Sequence, residues 1–251
     1  VLLKAMANEH RSPKLAVLID ADNASAKIAG PLFEEIAKLG DASVRRIYGD
    51  FSSNGSGPWA DVLAEHAIVP QQQFAYTKGK NASDITLVID AMDLLHSGRV
   101  QGFCLVSSDS DFTRLASRIR EQGFDVFGFG EQKTPKSLQQ ACHRFFFTEN
   151  LLLTRAGTKT TDDTKPLLDV AKITPVIRRA VGQLEGEDGW ANLGTVGAQI
   201  IKLESSFDTR SYGFTKLSDL VRKVDMFEVE HPPGQSPRIR IRRAAAKPAK
   251  S

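Results

Sequence analysis

Cysteine is nearly absent: among 251 residues only Cys104 and Cys142 carry thiols, and both stand in apolar context. That excludes a disulfide framework, and neither has a partner at the CxxC or CxH spacing that tetrahedral zinc requires. Both are expected to be buried free thiols in a reducing cytosol. Long apolar runs are missing too. No stretch approaches the ~18 residues needed to span a bilayer. The start, Val1-Leu-Leu-Lys-Ala5, has a lysine too early and an apolar block too short for a secretory signal. Histidines are few and scattered, at positions 10, 66, 96, 143 and 231, which argues against paired-histidine acid–base cleavage of RNA. No repeat occurs at a solenoid period. What remains, 41% hydrophobic and 25% charged residues over this length, suits one large or two modest globular domains.

The small net charge of +3 hides an asymmetry. Residues 1–155 hold 17 Lys+Arg against 18 Asp+Glu, whereas the remainder holds 16 against 12. The last fifteen residues carry Arg238, Arg240, Arg242, Arg243, Lys247 and Lys250 without one acid. A basic C-terminal portion suits a polyanionic partner such as nucleic acid, or is simply a solvated tail.

From Lys14 to about Asn150, short apolar runs alternate with amphipathic ones. Strands are predicted at Leu15–Asp20, Ser43–Tyr48, Ile68–Gln72, Gly102–Ser107, Asp125–Phe129 and Arg144–Phe147. Helices are predicted at Pro31–Leu39, Pro58–His66, Ser83–His96, Phe112–Gln122 and Pro135–Cys142. Runs such as Phe103-Cys-Leu-Val106 are continuous rather than alternating, as in parallel strands buried on both faces. Strict alternation of strand and helix then gives a three-layer α/β domain. A polar stretch, 151–166, reads as a linker. Over 167–243, helical periodicity at Leu167–Leu184, Asn192–Glu204 and Thr215–Lys223 is followed by alternating strands at Met226–Glu230 and Arg238–Arg242, a winged-helix outline. Residues 244–251 read as a disordered basic tail.

Acids mark the ends of the predicted strands. Asp20 closes the first, and Asp109 and Asp111 follow the fourth in Ser107-Ser-Asp-Ser-Asp-Phe112. In an alternating fold those ends line the ligand crevice. Gathered carboxylates repel unless a cation neutralises them, and hard oxygen donors suit Mg²⁺ or Mn²⁺. Asp22 shares the site or caps the next helix, and Asn23 holds a water or phosphate oxygen; an ordinary Asp/Asn turn is the plain alternative. Asp84 opens a helix, where the dipole alone favours an acid. Lys78 and Lys80, just upstream on a glycine-containing loop, are placed to hold a phosphate backbone. Asp90, some 120° further round that helix at about 3.6 residues per turn, cannot share Asp84's direction and is expected to brace a loop or close the site from another angle. Asp111 has the helix-cap role available to it, while Asp109 has none and is the stronger ligand candidate. With Asn23, Lys78 and Lys80, the hydroxyls of Ser107 and Ser108 are the substrate-binding candidates of this block.

Three of these stretches in order, Leu18-Ile-Asp-Ala-Asp-Asn23, Lys80 to Asp90, and Ser107 to Phe112, resemble the NYN domain, a LabA-like branch of the PIN/FLAP-nuclease superfamily. The resemblance covers about residues 14–150. It implies a Rossmann-like PIN fold and Mg²⁺- or Mn²⁺-dependent endoribonuclease activity. The family's ligands map to Asp20, Asp84 and Asp109, with Asp111 and Asn23 in support. Ser108 departs from the pattern, where glycine is usual. Further on, Asp188 to Gly197 and Phe207 to Leu217 resemble the OST-HTH/LOTUS domain, which implies an RNA-binding or protein-binding winged helix. There Tyr212 is the favoured base-stacking candidate, Trp190 and Phe214 are more readily core residues, and Lys216, Arg222 and Lys223 are placed for phosphates. Two rivals stand beside this reading. Asp20-Ala-Asp22 echoes the Asp-x-Asp of HAD-type phosphatases, though Ala24 replaces the Thr or Val expected there. A non-catalytic RNA-binding adaptor would use the acids for structure alone.

Overall fold

The computed structural model describes residues 12–51, 57–73, 82–155 and 168–242. The chain divides into two compact units, residues 1–159 and 160–251. The predicted tail, and the part of the predicted linker beyond residue 155, lie outside the described residues.

The first unit is built on six strands: β1 (Lys14–Asp20), β2 (Asp41–Gly49), β3 (Val69–Gln72), β4 (Gly102–Val106), β5 (Asp125–Gly130) and β6 (Arg144–Phe147). All neighbours pair in parallel, in the order β3-β2-β1-β4-β5-β6. Winding therefore runs outward from β1 to β3, then returns across the sheet to β4. That reversal opens a crevice at the carboxyl ends of β1 and β4, the switch point where doubly wound sheets bind ligands.

The continuous apolar runs arise because both sheet faces are covered. On β1, Leu15, Val17 and Ile19 join one core with Leu32, Ile36 and Trp59. Ala16 and Leu18 join the other, with Leu87, Ala91 and Leu95 and with Leu115 and Ile119. Each large apolar side chain so withdrawn from water contributes about 1.5–3 kcal/mol. The covering helices are α1 (Ala29–Ile36), α2 (Gly57–Leu63), α3 (Ala82–His96), α4 (Thr113–Glu121), α5 (Lys136–Ala141) and α6 (Thr148–Arg155). This is the three-layer, Rossmann-like PIN fold. Cys104 and Cys142 are buried and free, and burial pushes the Cys142 thiol up to about 12. Among the described residues, no helix is long and apolar enough to cross a membrane.

Three departures from expectation have local causes. The first helix starts earlier than Pro31, because Ser25 caps a 3-10 turn, Ala26–Ile28, that runs straight into α1. Pro31 fits there because first-turn N–H groups have no intrahelical partner. A similar turn, Ser110–Phe112, precedes α4. Helix α6 replaces the start of the expected linker, because Leu151 is buried in the core that also holds α1.

In the second unit, α7 (Val170–Leu184), α8 (Leu193–Leu203) and α9 (Leu217–Arg222) pack with a small antiparallel sheet ordered β7 (Ala191–Asn192), β9 (Arg238–Ile241), β8 (Phe227–Glu230). The first helix starts at Val170 rather than Leu167 because Asp169 caps it, accepting from the Ala171 amide at 2.8 Å. Asn192 caps α8 in the same way. Ile177, Val181, Val196, Ile200, Leu220 and Ile239 form the core. The result is a winged helix, with β8–β9 as the wing.

Candidate active site in the acidic crevice

Asp20 ends β1 on the sheet face that α3 covers, registered beside Tyr48 of β2. It is almost wholly buried, at 1% exposure. One of its oxygens accepts from the Ser107 hydroxyl at 2.7 Å and from the Asn23 amide at 2.9 Å; the other accepts from the Asp22 backbone at 3.1 Å. Burial raises the Asp20 pKa, against the pull of these donors. Ser107 then links across the crevice, because its oxygen also accepts from the Asp109 backbone N–H at 3.0 Å. The β5 backbone approaches closely here: a Cβ at Gly130 would stand 2.7 Å from the Ser107 carbonyl oxygen.

Asp84, in the first turn of α3, reaches the same crevice. Its pKa is raised to about 6, first by burial and then by the like charges of Asp20, Asp109, Asp22 and Asp111. Five acids, drawn from three separate stretches of sequence, thus share one electrostatic neighbourhood. Ser83, beside Asp84, donates to Asp22 at 3.2 Å.

The structure revises several residue roles. Asp109 does have a structural role, because its carboxylate caps the 3-10 turn by accepting from the Asp111 amide at 2.9 Å. The strand stops at Val106 and the extra turn moves the cap two residues upstream, so Asp111 lies inside the turn. Ser107 is buried, with its hydroxyl engaged by Asp20 and by the Asp109 amide, and acts as a bridge between acids rather than a contact for substrate. The Ser108 hydroxyl accepts from the Glu131 amide at 2.9 Å, tying the loop after β4 to the loop after β5. Asn23 is exposed, but its amide group donates to Asp20. Lys78 and Lys80 lie outside the described residues.

Asp90 braces a strand, not a loop. One of its oxygens accepts from Arg46 at 2.8 Å and from the Tyr48 hydroxyl at 2.9 Å. Burial, then the Asp90 carboxylate, holds the Tyr48 pKa far above the ordinary phenol value. The sequence signal for this pair is an Arg and a Tyr two residues apart in β2, placed on one face by strand alternation.

In the second unit two aromatics are placed otherwise than expected. Tyr212 is half-buried with its ring centroid 6.0 Å from that of Phe207, and burial ahead of nearby Glu204 raises its hydroxyl to about 12. Gly213, left-handed at φ 81°, ends the turn behind it. Phe214 packs against the core. Trp190, expected in the core, instead lies at the wing, with the guanidinium carbons of Arg238 and Arg240 at 4.5 and 4.4 Å from its ring centroid. Each arginine also meets a glutamate at 2.7 Å, Glu230 and Glu228 respectively. Lys216 and Lys223 are exposed at the two ends of α9.

The donor set is all hard oxygen and over-supplied with negative charge, which fits a divalent cation in chemistry. Its geometry is not closed: among the described residues, no group of three His, Cys, Asp or Glu side chains is arranged to hold a metal ion. Asp20 and Asp109 turn oxygens onto Ser107, Asn23 and neighbouring amides instead.

Residues 14–152 match the NYN domain and residues 169–239 match the OST-HTH/LOTUS domain. The chain belongs to the NYN domain family and carries an OST-HTH/LOTUS domain behind it. The NYN domain is part of the PIN-like nuclease superfamily, whose members typically use divalent metals. Among solved structures, a protein of unknown function from Vibrio parahaemolyticus is similar at 17% identity and TM-score 0.47, over 55% of this chain and 94% of that one. An uncharacterized protein from Nitrosomonas europaea is similar at 31% identity and TM-score 0.28, over 36% and 88%. A fragment from Chromobacterium violaceum is similar at 26% identity and TM-score 0.26, over 34% and 90%. No curated protein matches the chain.

Proposed function

We propose that the chain is a divalent-metal-dependent endoribonuclease, acting in the cytoplasm on phosphodiester bonds of single-stranded RNA, with its OST-HTH/LOTUS domain recruiting RNA or a protein partner. The observation that supports this reading best is the gathering of buried Asp20 with Asp22, Asp84, Asp109 and Asp111 at a switch-point crevice, which together with burial raises the Asp84 pKa. Asp20, Asp84 and Asp109 would hold Mg²⁺ or Mn²⁺, with Asp111 adjoining. When bound, such an ion supplies Lewis-acid activation of water and of the phosphodiester. The chain's own part is to aim and support the acids. Ser107 fixes Asp20 against Asp109, Asn23 orients Asp20, and the loop lysines Lys78 and Lys80 would hold the RNA backbone beside them. The hydrogen bonds that Asp20 and Asp109 accept leave lone pairs on both carboxylates for a shared ion. Tyr212 is packed on Phe207 and Trp190 is covered by Arg238 and Arg240, which leaves the exposed Lys216 and Lys223 as the basic contacts of the second unit.

The test is cleavage of single-stranded and duplex RNA and DNA with Mg²⁺, Mn²⁺ or chelator, comparing the full chain with Asp109→Asn and with a chain ended after Arg155. Mn²⁺-dependent cleavage of single-stranded RNA, lost in Asp109→Asn, is expected. That variant keeps a side-chain oxygen for the cap, so unchanged cleavage would trace to a contaminating nuclease and remove the site.

The unclosed carboxylate geometry favours one second reading, a non-catalytic RNA-binding adaptor. RNA binding that persists with chelator, without cleavage under any metal, would establish it. The HAD-type alternative lapses with the NYN match.

A further inference from the structure

Asp20 and Asp109 stand at strand ends and are joined directly through Ser107. Asp84 reaches the crevice from a helix, against the charge of four other acids. Leu87, Ala91, Leu94 and Leu95 bury the apolar face of that helix, and a polar contact on β2 fixes it further. Asp90 lies six residues beyond Asp84 on α3, about 9 Å along the axis at about 1.5 Å per residue. One of its oxygens gathers Arg46 and Tyr48 from β2. Tyr48 is fully buried, and it is also the residue registered beside Asp20, its carbonyl accepting from the Ala21 amide at 2.9 Å. One tyrosine thus grips the end of β1 through its backbone and α3 through its side chain. Arg46, on the same strand face, supplies the charge that makes the Asp90 carboxylate tolerable at this half-buried position.

We propose that Tyr48, Arg46 and Asp90 form a clamp that ties α3 to the end of β2 and so positions Asp84 against Asp20 and Asp109. Its consequence for catalysis rests on the nuclease reading above; its mechanical role does not. Asp90 is a positioning residue: it acts through helix α3 and need not touch a cation.

The experiment is a melting-temperature cycle on the full chain at pH 7.5 with chelator. In the parent background Asp84→Asn relieves repulsion and is expected to raise Tm by about 2–4 °C. With the clamp cut by Tyr48→Phe, α3 is free to relax, and Asp84→Asn should recover less than half of that gain. Arg46→Met cuts the other bond and serves if Tyr48→Phe does not fold. Arg45→Met is the control: Arg45 bonds the Ala42 and His66 carbonyls on the opposite strand face, so it should lower Tm and leave the gain intact. An equal gain in clamp-cut and parent backgrounds, or no gain in the parent, overturns the proposal. The second readout is Mn²⁺ affinity by calorimetry, expected to weaken about tenfold in Tyr48→Phe, with kcat for RNA falling while KM holds. Asp90→Asn, which keeps an acceptor oxygen, should retain more of both than Asp90→Ala. Additive melting in an active enzyme removes the clamp and leaves the nuclease; coupled melting in a protein that neither binds Mn²⁺ nor cleaves RNA keeps the clamp and removes the nuclease.

Discussion

At the crevice of the first unit, burial and then repulsion from Asp20, Asp109, Asp22 and Asp111 hold Asp84 near pKa 6. On the wing of the second unit, Arg238 and Arg240 are each paired with a glutamate and laid on Trp190. Arg210 likewise closes on Asp208 at 2.6 Å. Charge in one place is gathered against its own sign, and in the other is matched residue by residue. Matched charges of this kind stabilise modestly and specify geometry. Mismatched ones reduce the stability of the bare fold and gain a purpose only from a ligand of opposite sign. The crevice is therefore where function is to be sought first, and the basic wing, despite its composition, is in large part internally neutralised.

The comparison can be broken at four points. The largest effect belongs to Asp109→Asn: divalent-dependent cleavage should fall at least about 100-fold with the fold intact by circular dichroism. Full activity in that variant would place the chemistry elsewhere. Ser107→Ala comes next. It strips Asp20 of a buried donor and frees the Asp109 amide, so cleavage should drop about 10-fold or more and stability by about 1–2 kcal/mol in a denaturant titration; loss of stability alone would make Ser107 a plain core residue.

The third concerns pH. The folded pKa of Asp84 is above its ordinary value of 3.8, so below that value the residue is protonated in both states and destabilises neither. Its penalty appears as pH rises from about 4 to 6 and is complete above 6. Without divalent ions, Asp84→Asn should thus melt above the parent at pH 7.5, and the two curves should converge on acidification to pH 4. An Asp84→Asn variant that melts below the parent at pH 7.5 would mean that Asp84 is stabilised as an anion. The smallest effect is expected on the wing. Trp190→Ala removes two partly exposed cation–π contacts at about 0.5–1 kcal/mol each, lowering the stability of the second unit while metal-dependent cleavage of a short RNA stays unchanged.

Much of this is legible in the residues. The continuous apolar runs of β1 and β4 announce a sheet covered on both faces, and that architecture fixes where Asp20 and Asp109 end. Burial and periodicity are repeated along the chain and survive errors at single positions. Side-chain destinations are not repeated. Whether Asp109 or Asp111 caps depends on one extra turn, Ser110–Phe112. Ser107 reads as a surface hydroxyl until Gly130 and Phe129 close over it from β5. Trp190 and Tyr212 fall in places the sequence does not mark, because aromatic character alone does not say which ring meets an arginine and which meets Phe207. Helix geometry excludes Asp90 from Asp84's direction, but its partners on β2 are 42 and 44 residues away and leave no local mark.

Because the carboxylate that starts the turn before α4 is also one that the proposed cation would claim, the turn at residues 110–112 would hold that carboxylate ready for the ion, and loosening the turn should loosen the site.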